Sequence, residues 1–197
     1  MRTGIFGGSF NPIHNGHIAL ARQLREAAQL DEVWLMVSPQ NPLKQQEGLL
    51  ADDLRLQMAQ MALKDDPFIK VSDYEFYLPR PSYTWHTLQS LQREFPDREF
   101  VLLIGGDNWE HFPFWYRADD IVSNYRLVVY PRRGSDIDIA ALPPTVTVVE
   151  AELLDISSTD IRRRVRSGQP ITGLVPDCIV DAVTYYYNNT TNENEQQ

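Results

Sequence analysis

Residues 4–17 read GIFGGSFNPIHNGH, and this stretch decides how the chain begins to fold. Apolar residues lead into Gly7 and Gly8, which carry no Cβ and therefore let backbone N–H groups approach an anion closely. Ser9 adds a hydroxyl group and Phe10 adds a further amide. A helical pattern follows at once, so the positive end of its dipole points at the same place. The stretch predicts a strand, a phosphate-binding turn and a helix.

Two histidines stand three residues apart where this helix begins, and we expect His14 and His17 to share one face of its first turn. No carboxylate or cysteine lies beside them in the sequence, which disfavours a metal site. Ser9 and His14 lack an orienting acid nearby, which disfavours a hydrolytic nucleophile. Two imidazoles beside amides suit a phosphate under attack, where charge must be stabilised and no protein nucleophile is needed.

Outward from this stretch, strand-like and helix-like segments alternate along the chain. This alternation predicts a doubly wound α/β fold with a parallel sheet, whose ligands bind beyond the carboxyl ends of the strands. We predict one domain over residues 1–187, with a C-terminal helical part from about 157 to 187, and a disordered tail over 188–197. The predicted strands are 3–8, 32–38, 68–76, 98–107, 126–131 and 145–151, and the predicted helices are 17–30, 52–65, 82–95, 157–168 and 176–187.

Composition limits the classes of function. The 197 residues carry a formal net charge of −9, which argues against general binding to nucleic acid. The single cysteine, Cys178, excludes an internal disulfide and favours a reducing compartment. No apolar run approaches the roughly 20 residues that span a bilayer, and the N-terminus lacks the pattern of a signal peptide. We therefore expect a cytoplasmic protein that binds neither membrane nor nucleic acid, and a homo-oligomer is compatible with the sequence.

A second motif, ISSTDIR at residues 156–162, predicts another helix N-terminus. Ser157 or Ser158 can cap this helix, and Asp160 can close a capping box with Ser157. Taken alone, the motif is equally typical of an ordinary well-capped helix. The basic residues that follow, Arg163, Arg164 and Arg166, are interpreted as a solvated face.

Together the two motifs resemble those of the nucleotidylyltransferase superfamily. Residues 8–17 match its G-x-F-x-P-x-H-x-G-H pattern, and residues 156–162 match its distal I-S-S/T-T-x-I-R element. The resemblance implies a Rossmann-like fold and transfer of a nucleotidyl group from a nucleoside triphosphate, with release of pyrophosphate. It implies that the two histidines act on the transferred α-phosphate. The ATP-binding residues that it implies are Gly7, Gly8, Ser9, Phe10, His14, His17, Gly106, Asp107, Ser158, Thr159 and Arg162.

Three intervening segments resemble the bacterial nicotinate-nucleotide adenylyltransferase branch: SPQNPLK at 38–44, RPSYTWHTL at 80–88 and IGGDNWEHFPFWYR at 104–117. This resemblance implies transfer of AMP from ATP to nicotinate mononucleotide in NAD biosynthesis. It further implies Mg²⁺ accompanying ATP, held by phosphates and water rather than by protein ligands.

The same resemblance implies how the acceptor binds. Trp115 stacks on the nicotinate ring, and the backbone amides of Tyr116 and Thr84 receive its carboxylate. Lys44 and Arg132 hold the mononucleotide phosphate. Without the resemblance, Trp115 is equally compatible with a core position and Lys44 with a solvated loop.

The chain departs from the branch pattern at two places. Leu43 stands where a histidine is expected before Lys44, which removes one donor to the acceptor phosphate. Trp85 and His86 follow the S-Y-T segment, where an aliphatic residue and an acidic or amide residue are expected.

Three alternatives remain at this point. A sister transferase acting on phosphopantetheine or a phospho-alcohol would share both motifs. A nucleotide-sensing module with an inactive site would bind ATP without turnover. A class I tRNA-synthetase-like activating domain shares the H-x-G-H mark, but the chain has neither a K-M-S-K-S loop nor room for an anticodon-binding domain.

Overall fold

In the part of the chain that the structure describes, six parallel strands, numbered β1 to β6 in chain order, form one sheet in the order β3-β2-β1-β4-β5-β6. The structure is a computed structural model that describes residues 1–39, 48–132, 134 and 137–189. The sheet reverses direction of winding between β1 and β4, so a cleft forms there beyond the strand ends. The predicted doubly wound α/β fold is confirmed. The strands are β1 Arg2–Gly8, β2 Glu32–Val37, β3 Ile69–Ser72, β4 Glu99–Gly105, β5 Arg126–Tyr130 and β6 Val146–Val148.

Helices cover both faces of the sheet. Two short helices, α4 and α5, were not predicted; the chain passes directly from β4 into α4, without a loop to signal the change. The helices are α1 Asn15–Ala27, α2 Asp52–Ala62, α3 Thr84–Glu94, α4 Gly106–His111, α5 Ala118–Asn124, α6 Ser158–Arg166 and α7 Val180–Asn189.

The third predicted strand is too long, and this prediction was wrong at its C-terminal end. After β3, residues Tyr74–Tyr77 form a 3₁₀ turn. The hydroxyl of Ser72 accepts from the N–H of Tyr74 at 3.2 Å, and the carbonyl of Asp73 accepts from the N–H of Phe76 at 2.8 Å. Because these backbone donors are satisfied locally, they do not continue the ladder with β2.

Successive side chains of each strand point to opposite faces of the sheet, and the core is therefore divided into two apolar clusters, one on each face. In β1, Phe6 packs with one cluster and Ile5 with the other, and in β4 Leu103 and Leu102 divide in the same way. The cluster that contains Phe6 also holds side chains of α1, α2, α6 and α7. The C-terminal helices therefore complete the main core rather than forming a separate unit.

Helix α7 ends at Asn189, and residues 190–197 of the predicted tail lie outside the described residues, as do Leu43 and Lys44. None of the helices within the described ranges is long and apolar enough to cross a membrane.

Candidate active site

A cleft of about 550 Å³ opens beyond the carboxyl ends of β1 and β4. Its volume lies within the range typical of sites for small molecules. The strands, α3, α6 and the turn after β1 all contribute to its walls. The predicted site residues that line it are Gly7, Gly8, Ser9, Phe10, His17, Thr84, Asp107, Trp115, Tyr116, Arg132, Ser158, Thr159 and Arg162.

Two predicted residues that the structure describes are not part of this lining, and a third cannot be placed. His14 is only 5% exposed and lies behind His17. Gly106 is buried as the first residue of α4. Lys44, the predicted ligand of the acceptor phosphate, lies outside the described residues.

The turn after β1 depends on a close approach at Gly8. A Cβ on Gly8 would stand 2.8 Å from the Phe10 ring, which the turn folds back over the glycine. Phe10 itself has a φ of 44°, in the left-handed region that non-glycine residues seldom adopt. Its ring then meets the His17 ring edge-on, with centroids 5.0 Å apart. The turn therefore fixes one side of His17.

The two histidines are stacked rather than set side by side. Their ring centroids are 3.6 Å apart, and the planes differ by 21°. His14 is the N-cap of α1, and its Nδ1 accepts from the N–H of His17 at 3.3 Å. Burial, reinforced by the positive charge of Arg132, lowers the pKa of His14 to about 4. His14 is therefore neutral at physiological pH, with its proton on Nε2, and only His17 faces the cleft.

The N-terminus of α6 meets the turn after β1, so the two motifs form one site. The Ser158 hydroxyl donates to the carbonyl of Pro12 at 2.9 Å, and Arg162 Nη1 donates to the carbonyl of Asn11 at 2.7 Å. Arg162 Nη2 also contacts Thr159 Oγ1 at 3.3 Å. Burial lowers the pKa of Arg162, yet a guanidinium remains charged in proteins.

The predicted cap of α6 is confirmed, but only half of the capping box forms. The N–H of Asp160 donates to Ser157 Oγ at 3.1 Å. The Asp160 carboxylate turns instead to Arg163 and Arg164, forming ion pairs within the helix. These arginines lie outside the cleft lining, as the interpretation of a solvated face requires.

A second arginine enters the cleft after β5. Arg132 Nη1 lies 3.4 Å from Asp107 Oδ2, and its Nη2 donates to the Tyr130 hydroxyl at 3.3 Å. A Cβ on Gly105 would stand 2.6 Å from Asp107 Oδ1, so this glycine permits the approach. Burial raises the pKa of Tyr130, which keeps the phenol neutral beside the cation.

Aromatic side chains and the start of α3 form the other end of the cleft. Trp115 packs on Phe112 with centroids 5.4 Å apart, and its buried indole N–H meets no acceptor among the described residues. Thr84 is the first residue of α3, and the first turn of this helix carries no acidic side chain. This end therefore combines aromatic side chains with the amide donors of a helix start.

The unusual residues after the S-Y-T segment have distinct positions. Trp85 meets Tyr125 edge-on at 6.2 Å and belongs to the packing of α3 against α5. The His86 ring instead packs against the Tyr116 ring, with ring centroids 5.2 Å apart. The Tyr116 ring in turn packs against the Tyr83 ring, with ring centroids 5.0 Å apart. His86 thus supports the aromatic edge of the cleft, a role that the sequence did not indicate.

A fully buried arginine behind the site also escaped prediction. Arg55 Nε donates to the carbonyl of Leu50 at 2.8 Å, and Nη1 donates to the carbonyls of Ser9 and of Ser38, the latter at 3.0 Å. Its Nη2 pairs with Asp52 at 2.6 Å. The available signal was its spacing from Met58 and Ala59, which places it on the buried face of α2.

Asn11 connects three parts of the chain. Its Nδ2 donates to the carbonyl of Gly48 at 2.8 Å, while Oδ1 accepts from the N–H of Leu50 at 3.2 Å. The Tyr187 hydroxyl donates to the same oxygen at 2.6 Å. Asn11 stands inside the first motif, but nothing in the sequence pairs it with a residue in α7.

Comparison with known proteins places these observations in a family. Residues 5–164 match the family described as cytidylyltransferase-like. A protein of Bacteroides fragilis named "Probable nicotinate-nucleotide adenylyltransferase" is 53% identical over 170 residues, covering 86% of this chain and 85% of its own. A protein of the same name from Bacteroides thetaiotaomicron is 43% identical over 194 residues, covering 98% and 96%.

Solved structures agree on the fold. The Plasmodium falciparum nicotinic acid mononucleotide adenylyltransferase complexed with NaAD matches with a TM-score of 0.77 at 19% identity, over 95% of this chain and 97% of that chain. From the family match and these relatives, the chain belongs to the cytidylyltransferase-like family, alongside bacterial proteins named as nicotinate-nucleotide adenylyltransferases.

Proposed function

We propose that the protein transfers AMP from ATP to nicotinate mononucleotide, giving deamido-NAD and pyrophosphate in NAD biosynthesis. The observation that carries this proposal is the division of this cleft into two ends. One end holds phosphate-type donors around His17 and Arg162, and the other holds Trp115 with the start of α3. The names of the bacterial relatives support the same reaction and acceptor.

ATP occupies the end formed by the two motifs. The backbone around Gly7 and Gly8 and the N-terminus of α1 receive the phosphates. Ser158, Thr159 and Arg162 bind the β- and γ-phosphates, while Gly106 and Asp107 approach the adenosine ribose. Contacts of Ser158 and Arg162 with the carbonyls of Pro12 and Asn11 support this arrangement, because they hold α6 against the turn.

The acceptor occupies the aromatic end. Trp115 stacks on the nicotinate ring, whose carboxylate is received by the amides of Thr84 and Tyr116. The absence of an acidic side chain from the first turn of α3 supports an anion there. Arg132 reaches the mononucleotide phosphate, and Lys44 is proposed to join it from the segment outside the described residues.

The reaction needs no protein nucleophile. An oxygen of the acceptor phosphate attacks the α-phosphorus of ATP, the bond from that phosphorus to the bridging oxygen breaks, and pyrophosphate leaves. His17 donates a hydrogen bond to the α-phosphate as charge grows there, and one such donor is worth roughly 3–4 kcal/mol in comparable sites. His14 is proposed to assist from behind, by fixing the backbone and ring of His17.

Mg²⁺ is proposed to arrive with ATP. Within the described ranges, no three His, Cys, Asp or Glu side chains are grouped to hold a metal ion. Asp107, a carboxylate in the cleft wall, is paired with Arg132. When bound, Mg²⁺ neutralises phosphate charge, and the arginines contribute the fixed positive charge of the protein.

The same proposal extends to partners and compartment. Nucleotides are the partners that the cleft supports, and the net charge of −9 argues against nucleic acid as a substrate. The single cysteine supports a cytoplasmic location.

An acceptor panel tests the proposed reaction. The purified full chain is mixed with ATP, Mg²⁺ and one acceptor, and both pyrophosphate and the dinucleotide product are measured. We expect turnover with nicotinate mononucleotide and none with phosphopantetheine. Turnover with phosphopantetheine alone would support a sister transferase. A melting temperature that rises with ATP, without turnover on any acceptor, would support a nucleotide-sensing module.

A further inference from the structure

A buried carboxyl group lies in the wall of the acceptor end, and the proposed reaction leaves it unused. Glu75 belongs to the 3₁₀ turn Tyr74–Tyr77 that follows β3, and it lines the cleft although the residue is only 8% exposed. A charged carboxylate is rarely buried without a cationic partner. Glu75 has no salt bridge among the described residues.

Hydroxyl groups surround this carboxyl group. The Ser38 hydroxyl at the end of β2 lies 2.8 Å from Oε2, and the Thr87 hydroxyl on α3 lies 2.9 Å from Oε1. From α2, Arg55 reaches the carbonyl of Ser38, but its guanidinium is committed to carbonyls and to Asp52. Burial raises the pKa of Glu75 against the opposing effect of the hydroxyl groups.

The hydroxyl of Thr87 has one proton and two neighbours that can accept it. Besides Glu75 Oε1, the carbonyl of Tyr83 lies 3.4 Å from Thr87 Oγ1. If Glu75 is charged, both neighbours compete for that proton. If Glu75 is protonated, it donates to Thr87, which then donates to Tyr83. The uncharged form therefore completes a directed chain of hydrogen bonds.

This chain ends at the helix terminus that faces the acceptor. Tyr83 is the N-cap residue of α3, and its own side chain makes no capping hydrogen bond. The first N–H groups of α3 are free of an intrahelical acceptor by geometry, and they attract negative charge. A negative charge on Glu75, next to Thr87 in the following turn, would oppose an anion bound there.

We propose that Glu75 is a specificity-determining residue of the acceptor site. Uncharged, it leaves the start of α3 available to the carboxylate of nicotinate mononucleotide. Charged, it disfavours that carboxylate and leaves the neutral amide of nicotinamide mononucleotide unaffected. This inference rests on the proposed function, since it concerns the acceptor of that reaction.

The test compares the two acceptors across pH. For the wild type and for Glu75→Gln, kcat/KM is measured with nicotinate and with nicotinamide mononucleotide from pH 5 to 9, because burial raises the pKa of Glu75 above its ordinary value. Both acceptors carry the same phosphate, so its titration cancels in the ratio of the two values. We expect the wild-type ratio of kcat/KM for nicotinate mononucleotide to kcat/KM for nicotinamide mononucleotide to fall by roughly tenfold as the pH rises. A tenfold change corresponds to a penalty of about one pK unit for placing the two negative charges close together. The ratio of Glu75→Gln should stay at the wild-type value of low pH.

Glu94→Gln is the matched control, because Glu94 is an exposed carboxylate on the same helix that accepts from the Tyr74 hydroxyl at 2.8 Å. It should follow the wild-type ratio at every pH. If Glu75→Gln and the wild type have parallel ratios across the range, the inference is wrong.

A second measurement uses the unaltered protein. Calorimetric titration in two buffers of different ionisation enthalpy gives the protons taken up on binding. At a pH where Glu75 is charged in the free protein, the binding of nicotinate mononucleotide should take up as much as one proton more than the binding of nicotinamide mononucleotide. Equal uptake at all pH values contradicts the role of Glu75. Turnover of neither acceptor contradicts the proposed function instead, and proton uptake then still decides the inference.

Discussion

The H-x-G-H pair contains two histidines with different tasks. Both were predicted as phosphate donors from their spacing, and the sequence gives no way to distinguish them. The difference arises from packing, because His14 is buried and caps α1, while His17 lines the cleft. Stacking at 3.6 Å couples the two rings, so His14 acts on the orientation of its neighbour.

Removing the exposed imidazole tests its assigned role. We expect His17→Ala to lower kcat by roughly 10²–10³-fold, because one donor to the developing charge is lost. Steady-state kinetics with both substrates measure the effect, and circular dichroism checks the fold. His111→Ala is the control, since His111 is exposed and lies outside the cleft lining. A near-normal kcat for His17→Ala would remove this residue from the mechanism.

The buried imidazole makes a prediction about stability. The pKa of His14 falls from 6.5 to about 4 on folding, so the unfolded chain takes up a proton in that range and the folded chain does not. The contribution of neutral His14 to the free energy of unfolding is therefore complete above pH 6.5 and is lost as the pH falls towards 4. The loss is about 3 kcal/mol, because each pK unit corresponds to about 1.36 kcal/mol.

Denaturant unfolding at several pH values measures this loss. His14→Asn keeps a side-chain oxygen that can cap α1 but cannot titrate. The wild type should lose about 3 kcal/mol more than His14→Asn between pH 7 and pH 4. Parallel curves for the two proteins would show that His14 is not buried in its neutral form.

Trp115 is the residue whose prediction had a plain structural alternative. The indole packs on Phe112, as a core residue would, and also lines the cleft. We expect Trp115→Ala to raise the KM for nicotinate mononucleotide by roughly five- to a hundredfold, from a stacking loss of about 1–3 kcal/mol. The KM for ATP should stay within about twofold of the wild-type value, since the donor end is untouched.

Trp109→Ala is the matched control, because Trp109 stacks on the same Phe112 ring at 5.2 Å but does not line the cleft. If both variants change the acceptor KM equally, Trp115 acts through packing and does not stack on the substrate.

At the scale of elements, the strand, turn and helix at the start of the chain were predicted, but the element that follows β4 was not. The sequence after β4 predicts a strand and turn, whereas Gly106 begins α4 directly. Local patterns could not show this, because the six-residue helix depends on the close approach that Gly105 allows to Asp107 and Arg132. Similarly, Glu75 lies in a segment predicted as strand.

The brace formed by Arg55 belongs to this scale, since it joins α2 to the ends of two loops. Replacing it with methionine removes one of the two arginine partners of Asp52, which keeps its ion pair with Arg80 at 3.0 Å. It also leaves the buried carbonyls of Ser9, Ser38 and Leu50 without this donor. We expect Arg55→Met to lower the free energy of unfolding by about 3–5 kcal/mol.

Chemical denaturation measures this change, with Arg22→Met as the control. Arg22 pairs with Asp66 at 2.8 Å, but its side chain is 60% exposed, so its loss should cost about 1 kcal/mol or less. A similarly small loss for both variants would mean that Arg55 does not brace the turn.

At the scale of the whole molecule, the alternation of strands and helices sufficed to predict the fold and the edge of the sheet that holds the cleft. What could not be predicted are the contacts between the N-terminal turn and the C-terminal helices. Asn11 receives Tyr187 from α7 and Arg162 from α6, contacts between residues far apart in sequence. No local periodicity signals contacts between residues so far apart in the sequence.

The distribution of charge is a second property of the whole molecule. With a net charge of −9, an anionic substrate meets an unfavourable average field. Two arginines that are thirty positions apart in the sequence, Arg132 and Arg162, both line the cleft and supply positive charge there. Binding should therefore depend on this local pair rather than on overall charge.

The central claim is that both motifs hold one triphosphate at His17. A crystal structure of the chain with a non-hydrolysable ATP analogue tests it most directly. We expect the phosphates against the Gly7–Gly8 turn, an α-phosphate oxygen within about 3 Å of the His17 imidazole, and the terminal phosphates at Arg162. A triphosphate bound away from both His17 and Arg162 would contradict the account.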